Sequence, residues 1–251
     1  VFAHLGWVES IFNHITLRVP GPEKIFLINP FGRLYREVTA SNLVAIDIDG
    51  NPVRATEYPV NRAGFVIDSA IHANVAEAHC VMHTHTVSGM AVSCLAEGLM
   101  HDSFNGAQLK GRVAYHDFEG VTVRPDEQTR LLASIGDKKA VILRNHGLLA
   151  WGGSLPEAFG VMYSLQRACD TQIAASAAGS INRISTAAME QSRQEFIANE
   201  PRACQLLFDA MVGEEPADPL SLPSDGTSYL KAARSGWRPK RVAVSRDLGL
   251  P

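Results

Sequence analysis

No apolar run in this 251-residue chain approaches the about 18 consecutive residues that a spanning helix needs, so no membrane segment is predicted. Neither sign of charge dominates: 23 Lys and Arg stand against 26 Asp and Glu, for a formal net charge of −3. That balance excludes the broad basic surface a nucleic-acid-binding protein presents to phosphate. Cysteine is scarce and scattered. Cys80, Cys94, Cys169 and Cys204 form no CxxC pair, which argues against a disulfide framework or a cysteine-based zinc site. The four are read as buried thiols of a reducing compartment, and a cytoplasmic protein is expected. Repeats and low-complexity stretches are absent as well. The opening residues, VFAHLGWVES, carry neither a methionine start nor a signal peptide. They read as the tail of an amphipathic helix, so the natural N-terminus is expected upstream.

What remains is an ordinary globular composition, 46% hydrophobic and 20% charged, long enough for one large domain or two small ones. Residues 14–20 and 24–29 read as short strands joined by a Gly-Pro turn, and NLVAIDIDGNPV as a third strand with a turn at Asp49-Gly50. Phe65, Ile67, Ile71 and Val75 are spaced for a helix from Ala63 to about Ala78. HCVMHTH follows as a strand, and SGMAVSCLAEG as a helix that Gly98 ends. RVAYHDF reads as a strand, PDEQTRLLASIG as a helix and KAVILRN as a buried strand. Ser154, Pro156 and Glu157 open a long helix from Leu155 to about Ala178. Another helix is expected from Thr186 to Val212. Strands and helices alternate without a strict βαβ rhythm, which predicts an α/β domain with a largely mixed sheet. Beyond Gly213 the chain turns rich in Pro, Ser and charge. The expected organisation is one domain over 1–213 and a tail over 214–251 that is extended or packs at a subunit interface.

Two imidazoles close the apolar strand CVMHTHT. In an extended segment His83 and His85 point to one face. His146, in RNHGLLAWG, follows the apolar run AVIL at a strand-to-turn position. Three nitrogens converging from two strand ends, with a position left open, is the arrangement of a catalytic metal site. An HxH pair alone is more often surface or satisfied core, and adding His146 leaves the two readings balanced. His4, His14, His72, His79, His101 and His116 show no comparable pairing; His14 and His116 stand out as the exceptions to an exposed or core reading.

NHITLRVPGPEKIFLINPFG, AHCVMHTHTVSGMAVSCLAEG, GRVAYHDFEG and LRNHGLLAWG, in this order over roughly residues 1–180, resemble consecutive signatures of the class II aldolase/adducin family. The resemblance implies a three-layer α/β/α fold with a central mixed or antiparallel sheet. It further implies assembly as a homo-oligomer, a tetramer or higher, with the active site near a subunit interface. It also implies a divalent metal on His83, His85 and His146. Imidazole accepts several ions, so Mn²⁺ or Zn²⁺ is expected, with Fe²⁺ as a further choice.

The departures from the family's sugar-phosphate aldolases matter more than the match. There a glutamate about nineteen residues before the HxH pair serves as acid and base; the same count here reaches Gly64, leaving Asp68 and Glu57 as substitutes. The positions that would cradle a phosphate are Asn13-His14, Phe31-Gly32 and Arg62-Ala63. Phe31 brings a flat apolar surface and Arg62 a cation able to clasp a carboxylate, although a turn aromatic and a surface ion pair are ordinary alternatives. Arg62, Phe31 and Asn29 are the candidate substrate-binding residues. His14, Tyr115 and His116 are the candidate proton donors.

The leading expectation is a metal-dependent carbon–carbon lyase, a decarboxylase of a small hydroxylated aromatic or pyridine (di)carboxylate. A retro-aldolase on a non-phosphorylated hydroxy-keto acid, a non-heme iron oxygenase and a non-catalytic adducin-like scaffold are the alternatives. The expected partner is a small-molecule carboxylate rather than nucleic acid or membrane.

Overall fold

The computed structural model describes residues 1–120 and 126–211. In chain order the elements are α1 (Phe2–Leu5), β1 (His14–Arg18), β2 (Phe26–Ile28), β3 (Val44–Ile46), α2 (Arg62–Asn74), β4 (Cys80–Thr84), α3 (Val87–Ser93) and α4 (Phe104–Gln108). They continue with β5 (Val113–His116), α5 (Glu127–Ile135), β6 (Ala140–Leu143), β7 (Gly147–Gly152), α6 (Leu155–Ala178) and α7 (Thr186–Met211). The expected tail, Val212 and Pro125 lie outside the described residues.

The seven strands form one sheet in the order β3-β2-β1-β4-β7-β6-β5. Only β5 and β6 pair in parallel; every other neighbouring pair is antiparallel. The sheet is therefore mixed, as the irregular order of elements predicted. Side chains alternate across it, and the two faces are covered by different helices. On one face Cys80, Met82, Ile142, Leu148 and Ala150 pack against Phe159, Met162 and Leu165 of α6. On the other, Val81, Val141, Leu149 and Trp151 pack against Ile67 and Ile71 of α2 and Leu131 and Ile135 of α5. This is the expected three-layer α/β/α arrangement. Covering both faces explains why β4 and β7 are buried at every residue and read as continuous apolar runs. Among the described residues no helix is long and apolar enough to cross a membrane.

Several expectations need correction. HGLLAWG, not read as a strand, is β7, beside β4 in the sheet. Its uninterrupted apolarity carries no period that separates strand from helix. Helix α2 stops at Asn74 rather than near Ala78: Val75 leaves helical geometry, and Ala78 turns back to donate to the Val75 carbonyl. Likewise α3 ends at Ser93 with Cys94 as its cap, well before Gly98. Gly98 does adopt a left-handed conformation (φ +69), and a Cβ there would lie 2.5 Å from the Tyr115 hydroxyl. The short helix α4 was not foreseen. Cys94 is exposed, while Cys80, Cys169 and Cys204 are buried and all four are free.

Candidate metal centre

The site forms where β1, β4 and the β6–β7 turn meet. Strands β1 and β4 pair with His14 directly opposite His83, so both imidazoles stand on the face covered by α2, their centroids 4.8 Å apart. The β4 strand ends at Thr84, which corrects the expectation that His83 and His85 share one face of a single strand. His85 instead reaches back from the segment that leads into α3. Asn145, in left-handed geometry at φ +57, turns the chain so that His146 enters from the β6–β7 side.

One ring nitrogen from each of His83, His85 and His146 lies within 4.8 Å of the others. His83 Nδ1 is 2.9 Å from the Leu148 carbonyl. A carbonyl only accepts, so Nδ1 carries the hydrogen and Nε2 is left with a lone pair. That Nε2 stands 2.8 Å from Nε2 of His85. At this separation either a neutral His85 donates its Nε2–H to that lone pair or one cation bridges both nitrogens. An additional proton on the cluster is disfavoured. Burial, reinforced by the neighbouring imidazoles, holds His83 well below the ordinary histidine range. Burial likewise lowers His85 to about 4, with His146 and His14 adding to it, and lowers His146 to about 4, with His14 adding. Three neutral, converging imidazoles are the donor set a divalent ion requires, and the residues fit the group the family implies.

Positioning groups hold this arrangement. Asn13 Oδ1 accepts the His85 main-chain N–H at 2.9 Å, while its amide donates to the Trp7 carbonyl at 3.1 Å. Thr86 caps α3 and donates to Gln166 Oε1 at 2.6 Å. The segment carrying His85 is therefore fixed from both sides.

A cavity of about 390 Å³ opens beside the three histidines, with His14, Gly64, Ile67, Met90, Phe12 and Phe118 among its walls. Phe12 and Phe118 are half exposed and form an apolar rim. His14 itself is 2% exposed, and its Nδ1 lies 3.0 Å from Oδ2 of the fully buried Asp68. Asp68 follows Gly64 by one helical turn, so both face β1 from α2. A Cβ on Gly64 would lie 2.4 Å from His14 Cδ2 and 2.5 Å from Nε2. The imidazole thus fills the space directly over the glycine.

Of the other residues singled out from sequence, none lines this cavity. Tyr115 lies on the opposite sheet face, where its hydroxyl accepts the Leu99 N–H at 2.9 Å and the Arg144 guanidinium covers its ring. His116 is buried against α5, with Nδ1 3.0 Å from Ser134 Oγ and Nε2 3.6 Å from Glu127. It meets His146 only across a crevice of about 10 Å³. Arg62, the first residue of α2, points into a separate cavity with Phe65, Ser69 and Gln128. Asn29 accepts the Ile15 N–H at 2.9 Å and donates to the Asn13 carbonyl at 3.3 Å, joining β1 to β2. Phe31 is half-buried, its N–H donating to Pro59. Conversely, Glu9, Met90, Phe118 and Asn145 line the cavity without having been foreseen. Glu9, Phe118 and Asn145 come from loops and turns that carry no periodic signal, and Met90 from α3, a helix whose register over the site no local pattern reports.

The family described as Class II Aldolase and Adducin N-terminal domain matches residues 1–173. The chain belongs to this family. Alpha-adducin of Rattus norvegicus is 45% identical over 184 residues, covering 71% of this chain and 25% of that protein. Among solved structures, an aldolase II superfamily protein from Pseudomonas syringae superposes with a TM-score of 0.80 at 41% identity, covering 83% of this chain and 85% of that one. An L-fuculose 1-phosphate aldolase from Glaciozyma antarctica PI12 gives 0.70 at 27% identity, over 82% and 84%.

Proposed function

We propose that the chain is a metal-dependent carbon–carbon lyase, with decarboxylation of a small hydroxylated aromatic or pyridine carboxylate as the preferred reaction. The observation that carries this reading is the convergence of three neutral imidazoles beside His14, which is backed by Asp68 and seated over Gly64.

His83, His85 and His146 would hold the ion, with Zn²⁺ or Mn²⁺ preferred and Fe²⁺ as a further choice. A divalent cation there supplies Lewis-acid stabilisation of the negative charge that develops on a substrate oxygen when the carbon–carbon bond breaks. Everything else falls to the chain's own groups. The apolar walls, Ile67, Met90, Phe12 and Phe118, suit a flat substrate body and exclude water from around it. His14 moves the proton. Its Nε2 edge reaches the cavity, and Asp68 stabilises the imidazolium that forms when Nε2 gains a proton. In decarboxylation the bond to the carboxylate breaks, carbon dioxide leaves, and the electron pair stays on the substrate carbon. Nε2, having first taken the proton of the substrate hydroxyl, then delivers it to that carbon, and the product oxygen regains a proton from water.

Retro-aldol cleavage is the second reading, and a specific observation favours it. The base that Gly64 cannot supply is available in the His14–Asp68 pair. There Nε2 takes the substrate hydroxyl proton, the bond breaks, and the same proton returns to the carbon. A homo-oligomer working in the cytoplasm is retained as part of the proposal.

The test is product analysis with the Zn²⁺- or Mn²⁺-loaded protein over hydroxy-aromatic carboxylates and hydroxy-keto acids. Carbon dioxide release that a chelator abolishes supports the preferred reading, and aldehyde release the second. Turnover dependent on oxygen and ferrous iron would replace both with an oxygenase. A chain that binds metal but turns over neither class would favour an adducin-like scaffold.

A further inference from the structure

Behind His14 the polar groups form one continuous chain that ends on a main-chain carbonyl. Asp68 Oδ2 lies 3.0 Å from His14 Nδ1 and 2.9 Å from Thr16 Oγ1. Thr16 Oγ1 lies 2.8 Å from His72 Nε2, and His72 Nδ1 lies 2.7 Å from the Ala78 carbonyl. All four side chains are buried, Thr16 and Asp68 completely. The local structure accounts for the alignment. Thr16 follows His14 by two along β1, and His72 follows Asp68 by one turn of α2, so the four meet across one strand–helix contact.

Four contacts need four hydrogens. The Ala78 carbonyl only accepts, so His72 Nδ1 carries one. Thr16 brings a single hydroxyl hydrogen for its two contacts. A neutral His14 with its hydrogen on Nδ1 supplies a third. The fourth must sit on Asp68 Oδ2 or on His72 Nε2. If His14 carried its hydrogen on Nε2 instead, two additional protons would be needed, leaving an uncompensated cation in the buried pair, which is costly.

We propose that Asp68 and His72, bridged by Thr16, together hold one buried proton, and that this fixes His14 with its hydrogen on Nδ1 and a bare Nε2 toward the cavity. Thr16 and His72 are positioning residues, since neither lines the cavity. The groups acting on His72 are Asp68, Arg18, His79 and the Ala78 carbonyl, with the Phe26 ring 4.4 Å away. Burial pulls His72 down, and the Asp68 carboxylate opposes that pull. Asp68 Oδ1 has no hydrogen-bond partner, so the bridge through Oδ2 is the only hydrogen-bonding contact that holds the carboxyl group among the described residues. As an account of catalysis the inference rests on the lyase reading, whereas the proton count rests on hydrogen bonding alone.

The test is ring ¹⁵N–¹H correlation NMR on the full chain loaded with Zn²⁺, in wild type, Thr16→Val and Thr16→Ser. The expected result is a His14 Nδ1–H tautomer in wild type and a downfield, exchange-protected proton from the Asp68–Thr16–His72 bridge. Thr16→Val should lose that proton and release His14 into a mixture of tautomers; Thr16→Ser should retain both signatures. A wild-type His14 with its hydrogen on Nε2, or a Thr16→Val spectrum matching wild type, overturns the proposal. If Thr16→Val does not fold, the wild-type tautomer decides alone. The wrong tautomer in an active, metal-loaded protein would sink the proton count and spare the lyase reading. The expected tautomer in a chain without lyase activity would do the reverse.

Discussion

The Gly64 Cα lies beneath the His14 imidazole so closely that even a methyl group there would stand 2.4 Å from the ring. Glycine at this helical position is therefore a packing requirement. Asp68, one turn further along the same helix, anchors the ring through Nδ1, so His14 has little freedom to yield.

This contact predicts a reversal of sign. In an exposed helix, Gly→Ala stabilises by about 1 kcal/mol through backbone propensity. Against an anchored ring, overpacking costs about 1–3 kcal/mol. Gly64→Ala should therefore destabilise the wild-type chain and stabilise a His14→Ala background, as measured by chemical denaturation of the metal-free protein in a double-mutant cycle. The same sign in both backgrounds would contradict the geometry. Gly64→Glu should be tolerated only together with His14→Ala.

Much of this was legible in the sequence, and the boundary is physical. His83, His85 and His146 stand out because polar rings at the ends of apolar strands conflict with their surroundings. The long helix α6 emerged at its observed ends because the Ser154 cap, Pro156 and Glu157 mark its start, and α7 begins at Thr186 as expected. Strand β7 was missed because a segment buried on both faces has no alternation. Arg62, Tyr115 and His116 were chosen by chemical type and proximity in sequence, which do not report the face of a sheet or the side of a helix. Tyr115 and His116 are adjacent on β5 and so point to opposite faces. The link from His14 through Thr16 to His72 spans 58 residues and depends on how α2 crosses β1, which no local pattern encodes.

Asn13 predicts a metal-affinity effect. Asn13→Ala removes the acceptor for the His85 N–H and should weaken Zn²⁺ binding by roughly tenfold or more, as outer-shell losses do. Competitive chelator titration is the measurement. Unchanged affinity would show that His85 is held by other means.

Arg62 lies in a different cavity from the histidines. Arg62→Ala should therefore leave the ratio of kcat/KM for a dicarboxylate and its monocarboxylate analogue unchanged. A selective loss on the dicarboxylate, in steady-state kinetics, would place the guanidinium at the substrate after all.

The depressed imidazoles predict acid sensitivity of the metal-free protein. His85 and His146 titrate at about 4 in the folded chain, against an ordinary value of 6.5. Between those values the unfolded chain takes up protons that the folded chain refuses, so stability falls as pH drops through that window. The Tm of chelator-treated protein should decline from neutral pH to about pH 5, more steeply than that of His146→Gln over the same interval. Equal slopes would mean that His146 titrates normally in the fold.

The central claim is that His83, His85 and His146 form one metal centre, and stoichiometric metal titration of the chelator-stripped protein tests it most directly. The account predicts about one Zn²⁺ or Mn²⁺ per chain in wild type. It predicts none in His83→Ala or His146→Ala, each with an unchanged circular dichroism spectrum. A wild-type chain that binds no ion, or variants that bind as wild type does, would contradict it.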